Sequence, residues 1–175
     1  MDDPFEARVS TVGRPHTNWE IKICREDGSL ANIGETGEVC ARGYGVMLGY
    51  WEDPERTEQT IDPEGWLLSG DLGEMDAEGY VKITGRIKDM IIRGGENVYP
   101  REIEEFLYSH PDIQEVQVFG VPDAKYGEQV AAWVLVRDDS PLTTEEIREY
   151  CAGQITHFKV PRYIKLVDEY PMTVT

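Results

Sequence analysis

The chain has 175 residues, 40% of them hydrophobic, enough for one large or two small globular cores and too many for a disordered polypeptide. Its 34 acidic and 17 basic side chains give a formal charge of −17, which repels nucleic-acid phosphates and anionic membranes at long range. No apolar run approaches the ~20 residues of a membrane-spanning helix, and the opening Met1-Asp2-Asp3-Pro4 is not a targeting peptide, so the expectation is a soluble chain.

Cys24, Cys40 and Cys151 are odd in number, far apart and without Cys-x-x-Cys spacing, which reads as buried thiols in a reducing compartment. His16, His110 and His157 are equally scattered, so no metal-ligand set is visible.

In chain order, Trp19, Ile21 and Ile23 alternate with Glu20, Lys22 and Cys24, the period-two pattern of a half-buried strand, and Asp27-Gly28 turns the chain. A second strand over 38–42 follows the turn at 34–37, after which Gly43, Gly45 and Gly49 interrupt the segment up to Tyr50-Trp51. Asp53 followed by Pro54 and Glu55 is an N-cap with proline at the first helical position, predicting a short helix over 54–61. Strands are predicted over 66–68 and 80–84 around the turn-forming stretch 76–79, with Asp71 between them in the glycine-flanked Ser69-Gly70-Asp71-Leu72-Gly73. The region up to Ile87 therefore reads as an antiparallel β unit.

Residues 85–104 form a junction. Gly94 and Gly95 accept positive φ and make a loop tip, while Tyr99-Pro100 followed by Glu102, Glu104 and Glu105 marks a helix start. Beyond it, Ile103, Phe106 and Leu107 share one helical face, stopped by His110-Pro111. Val116, Val118 and the run 130–136 are β-type segments separated by Val121-Pro122-Asp123 and Tyr126-Gly127. Thr143 with Glu146 is a capping box opening a helix that turns Ile147, Tyr150 and Cys151 inward, with Gly153 at its C-terminal end, and 163–167 is one more strand. The fold class is α+β: an antiparallel β-rich subdomain, then a small mixed domain whose sheet is covered by helices.

The string Gly85-Arg86-Ile87-Lys88 through Arg93-Gly94-Gly95-Glu96 resembles the hinge and glycine-loop motif of the adenylate-forming superfamily, specifically acyl-CoA synthetases of the fatty-acid type. Val12-Gly13-Arg14-Pro15, Gly70-Asp71 and Phe158-Lys159-Val160-Pro161 extend the resemblance over nearly the whole chain, and Val46-Met47-Leu48-Gly49-Tyr50-Trp51 resembles medium-chain types in particular. It implies that 1–87 is the last β-subdomain of a large AMP-binding domain and 88–175 most of a mobile C-terminal domain. The parent would be an AMP-forming acid–CoA ligase using ATP, Mg²⁺ and coenzyme A, cytoplasmic or mitochondrial.

Residue by residue, the resemblance implies that Asp71 holds the ribose hydroxyls of ATP and of the acyl-adenylate, with Arg86 beside the same nucleotide. It makes Lys88 the pivot of the small domain, lines the pantetheine channel with Gly94 and Gly95, and puts Phe158 and Arg162 at the nucleotide end of CoA. Val160 stands where some relatives have arginine, which removes one phosphate contact. The family's terminal glycine-lysine pair is not in the sequence, nor is its phosphate loop, so no catalytic residue is assigned and the chain is expected to be an inactive C-terminal fragment. From the residues alone, Asp71 also suits an Asx-turn, Arg86 a surface salt bridge worth at most ~1 kcal/mol, Lys88 a solvated lysine and Phe158 a core position. An adenylation domain serving a carrier protein, or a non-catalytic nucleotide- or protein-binding module, remain as alternative readings.

Overall fold

In the computed structural model, which describes residues 3–138 and 140–171, the chain divides into two units, Met1–Lys88 and Asp89–Thr175, each with its own sheet. The division falls one residue beyond the boundary read from the sequence.

The first unit opens with a short helix, α1 (Phe5–Ser10), that buries none of its residues. Strands β1 (Trp19–Cys24), β2 (Gly37–Gly43), β3 (Leu67–Met75) and β4 (Val81–Arg86) then form an antiparallel sheet in sequential order. Alternation sorts the side chains: Ile23, Val39 and Val81 gather in one cluster, and Cys24, Cys40 and Trp66 in another. Burial beside Cys24 pushes the Cys40 thiol up to about 12, as expected of an inert core cysteine. Helix α2 (Pro54–Thr60) lies between β2 and β3, and Asp53 caps it by accepting the Arg56 N–H at 3.0 Å.

Strand β3 corrects the sequence reading. It continues through Ser69-Gly70-Asp71-Leu72-Gly73 to Met75, so Asp71 sits in a strand and not in a loop between two. The glycines that look like breakers serve the pairing instead. Gly70 takes φ +73, and Gly73 follows a register shift at which a Cβ would stand 2.8 Å from the Lys82 carbonyl oxygen.

In the second unit, β5 (Ile91–Arg93) and β6 (Glu96–Val98) are joined by Gly94 and Gly95 at φ +64 and +88. Positive φ at both positions is what a two-residue hairpin turn of the right twist demands. Helix α3 (Pro100–Tyr108) follows, then a long hairpin of β7 (Ile113–Asp123) and β8 (Gly127–Val136). Here too a strand is longer than expected: Val121-Pro122-Asp123 belongs to β7. Pro122 is tolerated because β7 is an edge strand, where a missing N–H costs no ladder bond.

Helix α4 (Thr144–Cys151) starts with both bonds of the capping box, and β9 (Tyr163–Leu166) returns parallel to β8, the direction a helical crossover imposes. The order is β6-β5-β8-β7, with β9 also paired to β8. Val116, Val118, Val130, Ala132 and Val134 alternate along β7 and β8 onto one face and bury with Ile103 and Leu107 of α3 and Ile147 and Cys151 of α4. Each buried valine, leucine or isoleucine in this core contributes ~1.5–3 kcal/mol. The fold is α+β, with antiparallel sheets predominating and few helices.

Candidate functional site

Pairing of β3 with β4 sets Asp71 opposite Arg86, fifteen positions apart in sequence. Arg86 Nε lies 3.5 Å from Asp71 Oδ1, and the two side chains remain 59% and 42% exposed. Lys88 is in the single 3-10 turn that follows β4, and Ser69, Gly70, Asp71, Arg86, Ile87 and Lys88 line an open cleft of about 550 Å³. Three of the residues singled out from sequence thus meet in one place.

Asp71 stands apart from the turn-forming aspartates of this chain. Asp27, Asp62, Asp76 and Asp123 each accept the backbone N–H of the residue two positions on, at 2.9 to 3.0 Å. At Asp71 the backbone N–H instead donates to Ser69 Oγ at 3.0 Å, and the carboxylate's partner is Arg86. The Asx-turn reading is therefore corrected. An exposed carboxylate that does not hold its own loop has lone pairs to offer two adjacent hydroxyls, and the Arg86 fork supplies donors beside it.

The residues assigned to coenzyme A are more dispersed. Gly94 and Gly95 form the β5–β6 turn, where the Gly94 N–H donates to the Tyr126 carbonyl oxygen at 2.8 Å. Phe158, in a 3-10 turn, is half-buried and packs against the core of the second unit. Its neighbour Lys159 binds both oxygens of Glu102 at 2.7 Å. Arg162 is exposed and lines an open cavity of about 460 Å³ with Arg93, Arg148 and His157. Neither the two glycines nor Phe158 lines that cavity.

Arg93, Arg148 and Gln129 were not singled out from sequence. Gln129 carried a usable signal, since it is a polar residue at the head of the apolar run 130–136, and it is 5% exposed. Residues 172–175, on which the expectation about a missing terminal glycine-lysine pair bears, lie outside the described residues. Among the described residues no group of three or more His, Cys, Asp or Glu side chains could hold a metal ion, and no helix is long and apolar enough to cross a membrane.

Two family models match the chain: the AMP-binding enzyme model over residues 1–51 and the AMP-binding enzyme C-terminal domain model over residues 102–175. The chain belongs to the AMP-binding enzyme family. A putative acyl-CoA synthetase of Bacillus subtilis, YngI, is 52% identical over 99% of this chain. The human mitochondrial medium-chain acyl-CoA ligase ACSF2 is 48% identical over the same share. The chain spans 32% of the first relative's length and 28% of the second's. Among solved structures, ATP-bound MatB from Rhodopseudomonas palustris aligns with a TM-score of 0.90 at 35% identity, covering 94% of this chain and 33% of that one. MenE from Bacillus subtilis, an o-succinylbenzoate CoA synthetase holding its acyl-adenylate, aligns at 0.84 and 34% identity, covering 95% and 34%.

Proposed function

We propose that this chain is the C-terminal portion of an ATP-dependent acid–CoA ligase acting on a medium-chain or other fatty acid. In the first step the carboxylate attacks the α-phosphorus of ATP, giving acyl-AMP and pyrophosphate; in the second the CoA thiol attacks the acyl carbonyl and AMP departs. Asp71 and Arg86 hold the adenylate, the aspartate through the two ribose hydroxyls and the arginine through oxygen atoms beside them. Mg²⁺ accompanying ATP would neutralise phosphate charge.

The observation that carries the reading is the Asp71–Arg86 register pair, a carboxylate free of turn duty and an arginine fork at the rim of one cleft. The acyl-CoA ligase names of the most similar relatives support the reaction class. In the second unit, Arg162 and its neighbouring cations suit the phosphate end of CoA, whereas Phe158 is better described as core than as a stacking platform.

Titrating AMP into the isotopically labelled 175-residue chain tests the nucleotide assignment. The expected result is amide shifts concentrated at Gly70, Asp71 and Arg86 that 2′,3′-dideoxy-AMP does not reproduce. Equal shifts with both nucleotides, or shifts elsewhere, would count against it.

A further inference from the structure

Arg93, Arg148, His157 and Arg162 converge on the cavity of the second unit, in a chain with twice as many acidic as basic side chains. Two of these cations have weak countercharges: Arg148 reaches Glu145 at 3.8 Å, and Arg162 has no acidic partner among the described residues. Clustered guanidinium groups with open donors suit phosphate oxygens, which they can bind two at a time.

Arg93 differs from the others in being held in place. Its Nε donates to Gln129 Oε1 at 2.7 Å, and its Cζ lies 4.6 Å from the centre of the Tyr126 ring. Gln129 is itself immobilised by burial, at 5% exposure. Its other neighbour is Asp123, whose carboxylate accepts the Tyr126 and Lys125 N–H groups at 2.8 and 2.9 Å. Those two bonds, joined by the Gln129 amide and the charge of Arg93, keep the Asp123 carboxyl below its usual range. Because Nε–H can only donate and a carboxylate can only accept, the amide has one orientation that serves both neighbours, oxygen towards Arg93 and nitrogen towards Asp123. With Nε occupied, the terminal nitrogens of Arg93 are left for a ligand.

We propose that Gln129 is a positioning residue that fixes Arg93 as a phosphate-binding arginine of this cavity; only the identity of the ligand, coenzyme A, rests on the functional reading above.

The test is calorimetric titration of the 175-residue chain with CoA, pantetheine and inorganic pyrophosphate, using wild type, Gln129→Leu, Arg93→Ala and the double variant. Wild type should bind CoA and pyrophosphate and bind pantetheine, which has no phosphate, far more weakly. Gln129→Leu should weaken both phosphate ligands about tenfold, the loss of one well-placed charged hydrogen bond. It should cause no further loss in the Arg93→Ala background, because it acts through that arginine.

Unchanged affinity in Gln129→Leu, or additive losses in the double variant, would overturn the proposal. Should Gln129→Leu fail to fold by circular dichroism, Gln129→Glu replaces it. That variant keeps an acceptor for Nε but adds a negative charge, so it should weaken pyrophosphate binding in a salt-dependent way, and unaltered binding would again overturn the proposal. Pyrophosphate binding that depends on Gln129 without CoA binding supports the positioning role and overturns the CoA assignment. Absence of binding to either phosphate ligand overturns the phosphate site itself.

Discussion

Replacing Asp71 by alanine separates a binding role from a structural one because the two predict different magnitudes. The Asp71–Arg86 pair is 3.5 Å apart with 42% and 59% of its side chains exposed. Such a pair contributes roughly 0–1 kcal/mol to stability. The carboxylate also takes no backbone N–H of its own turn, so Asp71→Ala should lower the urea-unfolding free energy of the chain by less than about 1 kcal/mol. A carboxylate that accepts two ribose hydroxyls loses far more, at ~1.5–3 kcal/mol for each charged hydrogen bond. Two such bonds amount to at least ~3 kcal/mol, roughly a hundredfold in affinity. The assay is titration of ATP and of 2′,3′-dideoxy-ATP into the full-length protein carrying this chain, the ligase proposed above. Wild type and Asp71→Ala should differ strongly for ATP and little for the dideoxy analogue, with Asp71→Asn in between, since an amide oxygen still accepts. If the substitution penalises both nucleotides alike, or costs several kcal/mol of folding stability, the aspartate is holding the strand and the ribose assignment is wrong.

The Gly94–Gly95 turn predicts an asymmetry: Gly94→Ala meets both a left-handed backbone and Tyr126 Cδ1 at 3.1 Å, whereas Gly95→Ala meets only the backbone cost of ~1–2 kcal/mol. Denaturation should therefore rank Gly94→Ala as the less stable of the two, and the reverse order would refute the hairpin geometry. Glu104 is half-buried, and burial, opposed by the Val118 N–H it accepts at 2.8 Å, pushes its carboxyl above the ordinary 4.5. Folding thus favours the protonated acid, so the contribution of Glu104 to stability is full below 4.5 and is lost as pH rises through its raised folded value. Glu104→Gln should flatten the unfolding free energy across that window, and an unaltered slope would show that Glu104 does not cause it. In the full-length ligase proposed above, Lys88→Pro fixes φ and removes a backbone donor at the last residue of the first unit, and should slow thioester formation more than adenylation. Equal losses in separately measured half-reactions would make Lys88 an ordinary surface residue.

The sequence was most legible where one local rule governs. The alternation of Trp19 to Cys24, the Asp53-Pro54 cap and the Thr143–Glu146 box each correspond to an element of the structure. It was least legible where glycine or proline serves a long-range pairing. Gly70 and Gly73 look like the ends of a loop, yet they let β3 bend and lie close to β4, and Pro122 looks like a separator until β7 is known to be an edge. The same holds at the candidate sites. Asp71 and Arg86 could be placed together because a single short turn joins their strands. Arg93 and Gln129 could not, because they are 36 positions apart and meet through contacts between β5 and β8 that no local pattern announces.

The central claim, that this chain belongs to an enzyme activating an acid as its adenylate and passing it to CoA, is tested most directly by ATP–pyrophosphate exchange followed by AMP release. The polypeptide to use joins this chain to the remaining two thirds of the length seen in its relatives. Exchange should require a fatty acid, with medium-chain acids the best, AMP release should require CoA, and the 175-residue chain alone should catalyse neither. Exchange indifferent to the acid, or AMP release that needs a carrier protein and ignores CoA, would contradict the account.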